Sequence, residues 1–158
     1  EMCIRDRNNG MSLDLDRIKK ELETLPKYDE QIALQGTKDN LDPFFSLGSY
    51  FKDKKGKETD FDTPIFDIPY INSIIKDLNL DRTRVMNMKS KSCYTIHRDW
   101  TKRIHIPVIT NEHCFLIVNN EIKHYPADGN HYLVDTTQLH TAVNASRENR
   151  IHIVGVVV

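Results

Sequence analysis

The chain divides into two textures. From residue 12 to about 80 the apolar positions recur at helical spacing or without a period; from 82 onward they alternate. Leu15, Ile18, Leu22 and Leu25 share one face of a 3.6-residue helix. Ser12 stands where a cap is needed and Pro26 where the helix must stop. A short strand is expected over 31–36 and a second helix over 70–78. Between them, 39–62 is rich in Lys, Asp, Gly and Ser and reads as a long surface loop. Its Phe44, Phe45, Tyr50 and Phe51 require parts of that loop to pack.

Beyond Arg82, short runs of Val, Ile, Thr and Tyr separated by turn residues predict strands at 83–88, 93–98, 103–109, 114–118, 121–125, 131–135, 139–143 and 150–157. Asn119-Asn120 suits a hairpin turn, and Asp128-Gly129-Asn130 a second turn. Eight short strands with no helix among them predict a mainly β fold, a double-stranded β-helix of jelly-roll or cupin type, with the N-terminal helices packed outside. The tetrad Arg-Ile-His-Ile occurs twice, at 103–106 and 150–153. Strand alternation puts Arg and His on one face and Ile on the other, so one barrel face is expected to be polar and the other apolar.

Composition narrows the class. A length of 158 residues suits one domain, here 11–158, with 11–80 as helical and loop support and 82–158 as the catalytic core. Residues 1–10 (EMCIRDRNNG) are polar and patternless ahead of Met11-Ser12, and are expected to be a non-native leader. The formal net charge of -1 gives no field to recruit nucleic acid or an anionic membrane, so neither partner is expected. No apolar run approaches the roughly 20 residues of a membrane span. Cys3, Cys93 and Cys114 share no close spacing; reduced thiols and a cytoplasmic location follow. Cys93 and Cys114 are expected in strand cores.

His97-Arg98-Asp99 is the centre of the chemistry. On a strand, residues i and i+2 point the same way, so His97 and Asp99 can grip one ion. His140, at the end of another strand-like segment, supplies a third ligand. Two His and one carboxylate fill one triangular face of a metal and leave the opposite face open, the arrangement of oxygen-using non-haem iron(II). A surface His beside a surface Asp is the plainer explanation of an H-x-D triplet alone. Arg150 strengthens the metal reading. 2-Oxoglutarate chelates iron through its keto oxygen and one carboxylate, and its far carboxylate needs a fixed cation. Arg supplies a planar fork for it and stays charged when partly buried. A solvated strand start is the alternative for Arg150.

These stretches resemble the aspartyl/asparaginyl β-hydroxylase family, which also includes free-proline hydroxylases. HRD at 97–99, RIHIPVITN at 103–111, DTTQLHTAVN at 135–144 and RIHIV at 150–154 match in order and spacing. The resemblance spans roughly 82–158. It implies a double-stranded β-helix that uses iron(II), 2-oxoglutarate and dioxygen, with His97, Asp99 and His140 on the metal. It further implies that Arg150 holds the distal carboxylate, and that Arg103 and His105 help to hold the cosubstrate. Some animal members lack the carboxylate ligand; Asp99 makes this chain look like the bacterial or phage-type branch with a full triad.

Arg98 and Trp100 flank the triad and are candidates for the substrate entrance, with a rim aromatic and a solvated cation as the alternative. Asn144 is a candidate for steadying the site or for a turn. His113, His124 and His131 read as surface or turn residues, and His152 as structural. The expected function is hydroxylation of an amino-acid side chain of Asp, Asn or Pro type, free or within a peptide or protein. The rival is a cupin-type binding domain, non-catalytic or of different catalysis, because jelly rolls host many functions. The joint presence of His97, Asp99, His140 and Arg150 separates the two.

Overall fold

The computed structural model describes residues 12–45, 47 and 56–158. The leader expected at 1–10, and the packing of Tyr50 and Phe51, lie outside the described residues.

Among the described residues, two α-helices form where the sequence predicts them. Helix α1 runs Leu15–Leu22 and buries Ile18. Its cap is Asp14, not Ser12: the Asp14 carboxylate accepts from the Arg17 backbone N–H at 3.1 Å. Ser12 instead lies against Gly129, whose backbone oxygen accepts from Leu13 N–H at 2.8 Å. Helix α2 runs Pro69–Asp77, with Pro at its first turn and Ile71, Ile74 and Ile75 buried. Its free N–H groups are taken by the other helix: Glu21 accepts from the backbone of Tyr70 and Ile71, both at 2.8 Å. The carboxylate also sits favourably at the positive end of the α2 dipole.

Among the described residues, eleven strands form three antiparallel sheets. The large sheet has the order β1 (Gln31–Ala33), β4 (Leu80–Met88), β11 (Arg150–Val157), β6 (Arg103–Ile109), β9 (Tyr132–Val134). The smaller sheet has the order β5 (Ser92–Cys93), β10 (His140–Asn144), β7 (Cys114–Val118), β8 (Glu121–Lys123). A two-stranded ribbon joins β2 (Gln35–Gly36) to β3 (Thr63–Pro64). The expected strand at 31–36 is therefore split between two sheets. The Asn119-Asn120 turn is as expected: φ is 49° and 63°, the left-handed pair of a two-residue hairpin, and Val118 faces Glu121 across it. The expected strand at 93–98 is much shorter. Only Ser92–Cys93 enters the ladder, and the chain then rejoins it at a single bridge, His97 to His140.

The mainly β fold, a double-stranded β-helix with its helices outside, follows from the alternation along the long strands. Ile104, Ile106 and Ile153 turn outward and pack with Ile18, Ile71, Ile74 and Ile75 of the helices. Arg103, His105, Arg150 and His152 turn inward, so the repeated tetrad separates a polar face from an apolar one. Gly155 lies where the β4–β11 register shifts between Val154 and Val156. A Cβ there would stand 2.8 Å from Thr83 Oγ1 and 3.0 Å from Leu80 Cβ. Gly155→Ala is therefore expected to cost about 1–3 kcal/mol by overpacking. At roughly 2–4 °C of melting temperature per kcal/mol, calorimetry will resolve it.

Candidate active site

The main chain brings the triad together. His97 and His140 exchange backbone hydrogen bonds of 3.1 and 3.0 Å, and their rings lie 4.3 Å apart. Asp99 is anchored by its own backbone N–H, which donates to Thr136 O at 2.8 Å. One ligand atom from each of His97, Asp99 and His140 lies within 4.8 Å of the other two. An equilateral triangle of that side has its centre about 2.8 Å from each corner, close to metal–ligand bonds of about 2.0–2.2 Å.

The tautomers suit an ion. His97 Nδ1 lies 2.6 Å from Thr95 O and His140 Nδ1 lies 2.9 Å from Gln138 O. A carbonyl only accepts, so both Nδ1 atoms donate. That leaves both Nε2 lone pairs free, facing Asp99 at 3.7 and 3.6 Å. Burial holds the His140 pKa below its ordinary value, outweighing the Gln138 hydrogen bond and the Asp99 charge that raise it. His140 is thus neutral at pH 7, as a ligand must be.

The triad opens onto a cavity of about 780 Å³ between the two sheets. Arg150 lies in its wall, 2% exposed, with Nε and Nη1 shut off from solvent and making no hydrogen bond. Burial lowers the Arg150 pKa, against which Tyr94 and Cys114 raise it. A buried guanidinium with an idle fork is an energetic cost unless an anion meets it. A distal carboxylate would meet it.

Arg103 is engaged differently. Its Nη1 and Nη2 donate to Glu58 at 2.9 and 2.6 Å, and its Nε lies 3.4 Å from Asp99 Oδ2. It therefore steadies the triad carboxylate, besides lining the cavity. Glu58 also accepts from Arg82 at 2.8 Å and from Thr101 at 2.6 Å. Burial alone would raise the Glu58 pKa. The hydrogen bonds from Arg103 and Thr101, the Arg103 charge and the Arg82 bond outweigh it and hold the carboxyl at about 2. Glu58 was not among the expected site residues. It falls in the stretch read as a surface loop, and its arginine partners are 24 and 45 residues away in sequence. Only pairing a buried carboxylate with the surplus of inward arginines would have found it.

His105 lines the cavity, and its Nδ1 lies 3.1 Å from His152 Nδ1, so one ring donates to the other. Burial, then the charges of Arg150 and Arg103, push the His105 pKa well below its ordinary value. Arg98 and Trp100 stand at the mouth; Arg98 donates to Thr137 O at 3.1 Å and Trp100 is 85% exposed. Asn144 is set apart from the cavity. Its amide donates to Met88 O and Glu148 O, and its oxygen accepts from Ser146, tying the last turn together. His113 and His124 are exposed, but His131, expected on the surface, is buried. Cys93, expected in a strand core, is exposed, because β5 ends there and lies at a sheet edge; Cys114 is buried.

A double-stranded β-helix with a His-x-Asp…His cluster at its mouth defines a class of candidate metal-dependent β-barrel enzymes. The chain belongs to the aspartyl/asparaginyl beta-hydroxylase family, whose sequence model matches residues 13–157. No curated protein matches the chain. The match reaches the N-terminal helices and Glu58, beyond the stretch in which the motifs lie.

Glu58→Gln removes the anion shared by two buried guanidiniums and is expected to cost about 3–5 kcal/mol in a denaturant titration. The depressed folded pKa fixes the sign of the pH dependence. The stabilisation is complete above the unfolded value of 4.5 and is lost as pH falls toward about 2. The gap between wild type and Glu58→Gln should therefore hold constant above about pH 5 and close as pH falls toward 2. A gap independent of pH would contradict it.

Proposed function

We propose that the chain is an iron(II)- and 2-oxoglutarate-dependent dioxygenase that hydroxylates an amino-acid side chain. The observation that carries this reading is the idle, buried fork of Arg150 in the same cavity as the His97, Asp99 and His140 cluster. A metal site alone needs no such cation, and a binding cupin has no use for it beyond a three-ligand face. When bound, iron(II) and 2-oxoglutarate supply the oxidising power for dioxygen-dependent C–H hydroxylation, with succinate and carbon dioxide as co-products.

The protein's own contribution is positioning. His97 and His140 present Nε2 because their Nδ1 protons are held by backbone carbonyls. Arg103 steadies Asp99, and Glu58 steadies Arg103. Arg150 takes the distal carboxylate of the cosubstrate, and the neutral His105 offers a hydrogen bond along its length. Trp100 and Arg98 at the mouth border the substrate, an Asp, Asn or Pro side chain, free or in a peptide or protein. Among the described residues no helix is long and apolar enough to cross a membrane. Cys93 and Cys114 are both free, which fits the cytoplasmic location we assign.

The test separates cosubstrate from metal. Without oxygen, iron(II) plus 2-oxoglutarate should give a weak visible charge-transfer band, and a binding cupin would give none. Removing the cation from a buried carboxylate costs roughly 3–5 kcal/mol. Arg150→Ala should therefore weaken 2-oxoglutarate binding on the order of a hundredfold or more while iron still binds. Arg150→Lys should recover part, since an ammonium lacks the fork. His97→Ala should abolish turnover, whereas Asp99→Ala should retain a residue of it through the remaining two ligands. An affinity within about threefold of wild type for Arg150→Ala would return the cupin reading to favour.

A further inference from the structure

The cavity holds a second buried guanidinium that the reading above leaves without work. Arg84, on β4, is 8% exposed and lines the same cavity. Its Nη1 donates to Gln31 Oε1 at 3.2 Å, and its Nε is sealed from solvent with no hydrogen bond. Among the described residues no carboxylate forms an ion pair with Arg84. Glu58, the buried anion of this wall, is taken by Arg82 and Arg103.

Position separates Arg84 from the cosubstrate's cation. Arg150 is in register with Met88 and Arg84 with Val154, on adjacent strands of one sheet. Four residues of strand is roughly 13 Å at about 3.3 Å per residue. The charges acting on Arg84 are those of Arg82, Arg103, Asp99 and Glu58, at the metal end of the cavity; Tyr94 and His105 feel both arginines, Arg150 more strongly than Arg84. A short diacid anchored on Arg150 has its other carboxylate at the triad, so neither of its carboxylates is left for Arg84. Burial first, then repulsion from Arg82 and Arg103, pushes the Arg84 pKa down to about 9, so the group remains a cation at pH 7.

We propose that Arg84, oriented by Gln31, is the carboxylate-binding end of the substrate pocket, so that the enzyme takes its substrate by a carboxylate and prefers an acid to the matching amide. This rests on the dioxygenase reading and narrows it. The carboxylate can be the α-carboxylate of a free amino acid or a side-chain carboxylate within a peptide. Both present the same planar pair of oxygens to the guanidinium.

The experiment uses the full chain loaded with iron(II) and 2-oxoglutarate, without oxygen, titrated calorimetrically with two matched pairs. L-Proline against L-prolinamide probes an α-carboxylate. N-acetyl-aspartate N-methylamide against the corresponding capped asparagine probes a side-chain carboxylate. In one pair the acid should bind about tenfold to a hundredfold more tightly than its amide, the worth of a charge-assisted hydrogen-bond pair. The pair that responds identifies the source. Arg84→Met should erase the preference, and Arg84→Lys should keep part of it. Arg84→Met should also melt no lower than wild type, because it replaces an uncompensated buried charge by an apolar chain of similar length.

The assignment falls if no acid of either pair binds, or if acid and amide bind within about threefold. It falls equally if Arg84→Met keeps the preference or melts clearly lower, as a structural cation would. A loss of more than about tenfold in 2-oxoglutarate affinity on Arg84→Met would make Arg84 a cosubstrate residue and overturn it as well. The charge-transfer band of the same sample separates the two readings. No band with 2-oxoglutarate means that the dioxygenase reading fails; a band without acid preference means that this assignment alone fails.

Discussion

The structure turns on one buried carboxylate. Arg82, Arg84, Arg103 and Arg150 are all less than a tenth exposed, and Glu58 is the sole buried acidic side chain among the described residues. Isolated, each guanidinium would carry a large desolvation penalty. Glu58 offsets it for two of them, with both its oxygens bonded and its charge retained down to about pH 2. The inner wall of the barrel can therefore be polar without collapsing. The two arginines that Glu58 does not reach leave the cavity electropositive, which favours anionic occupants at those two points.

The geometry of the triad is set by main chain more than by side chains. A two-residue exchange of backbone hydrogen bonds registers His97 against His140, although the two lie in separate segments. Two further carbonyls, Thr95 O and Gln138 O, choose the tautomers. Arg103 then joins Asp99 to Glu58, so the mouth of the site is tied to the loop that precedes α2. A displacement of that loop would reach Asp99 through two ion pairs, Glu58–Arg103 and Arg103–Asp99. The chain of contacts thus gives a physical route from the N-terminal third, which looked like mere support, to the chemistry.

Much of this was legible because the relevant signals are local. Strand alternation depends on nearest neighbours, and it placed β4, β6, β7, β10 and β11 and sorted the repeated Arg-Ile-His-Ile onto two faces. The H-x-D spacing needs only a strand-like backbone. Signals that depend on distant partners were not legible. Glu58 reads as a polar loop residue until folding brings two arginines to it. The stretch after Cys93 has the composition of a strand, yet the chain leaves the ladder there and returns at His97, because it must cross the mouth of the barrel. His131 and Cys93 were misjudged for the same reason: each adjoins a strand of three residues or fewer, too short for alternation to fix a face. The cap at Asp14 in place of Ser12 shows a finer competition, since both can accept and the one adjoining the first helical residue wins.

A barrel with a polar cavity of this size must find its stability elsewhere, and the distribution of apolar contacts shows where. One cluster lies outside the large sheet, where Ile18, Ile71, Ile74 and Ile75 of the helices meet Ile104, Ile106 and Ile153. A second, of Met88, Leu116, Val118, Tyr125, Tyr132, Val134 and Ala142, joins the two sheets on the inside, and Met88 is the register partner of Arg150. The difference in depth lies in exposure: Arg150 is 2% exposed, whereas His97 and Trp100 are open to solvent, so the barrel is closed at Arg150 and open where the triad lies. Depth and polarity are consequently separate variables. The cation at the closed end is shielded from water, which is what the cosubstrate role we propose for Arg150 requires. The groups at the open end border the exposed Trp100 and Arg98, where the substrate can vary without disturbing either apolar cluster. The helices outside are what permit this, because they move the burden of burial from the inner face of the large sheet to its outer one.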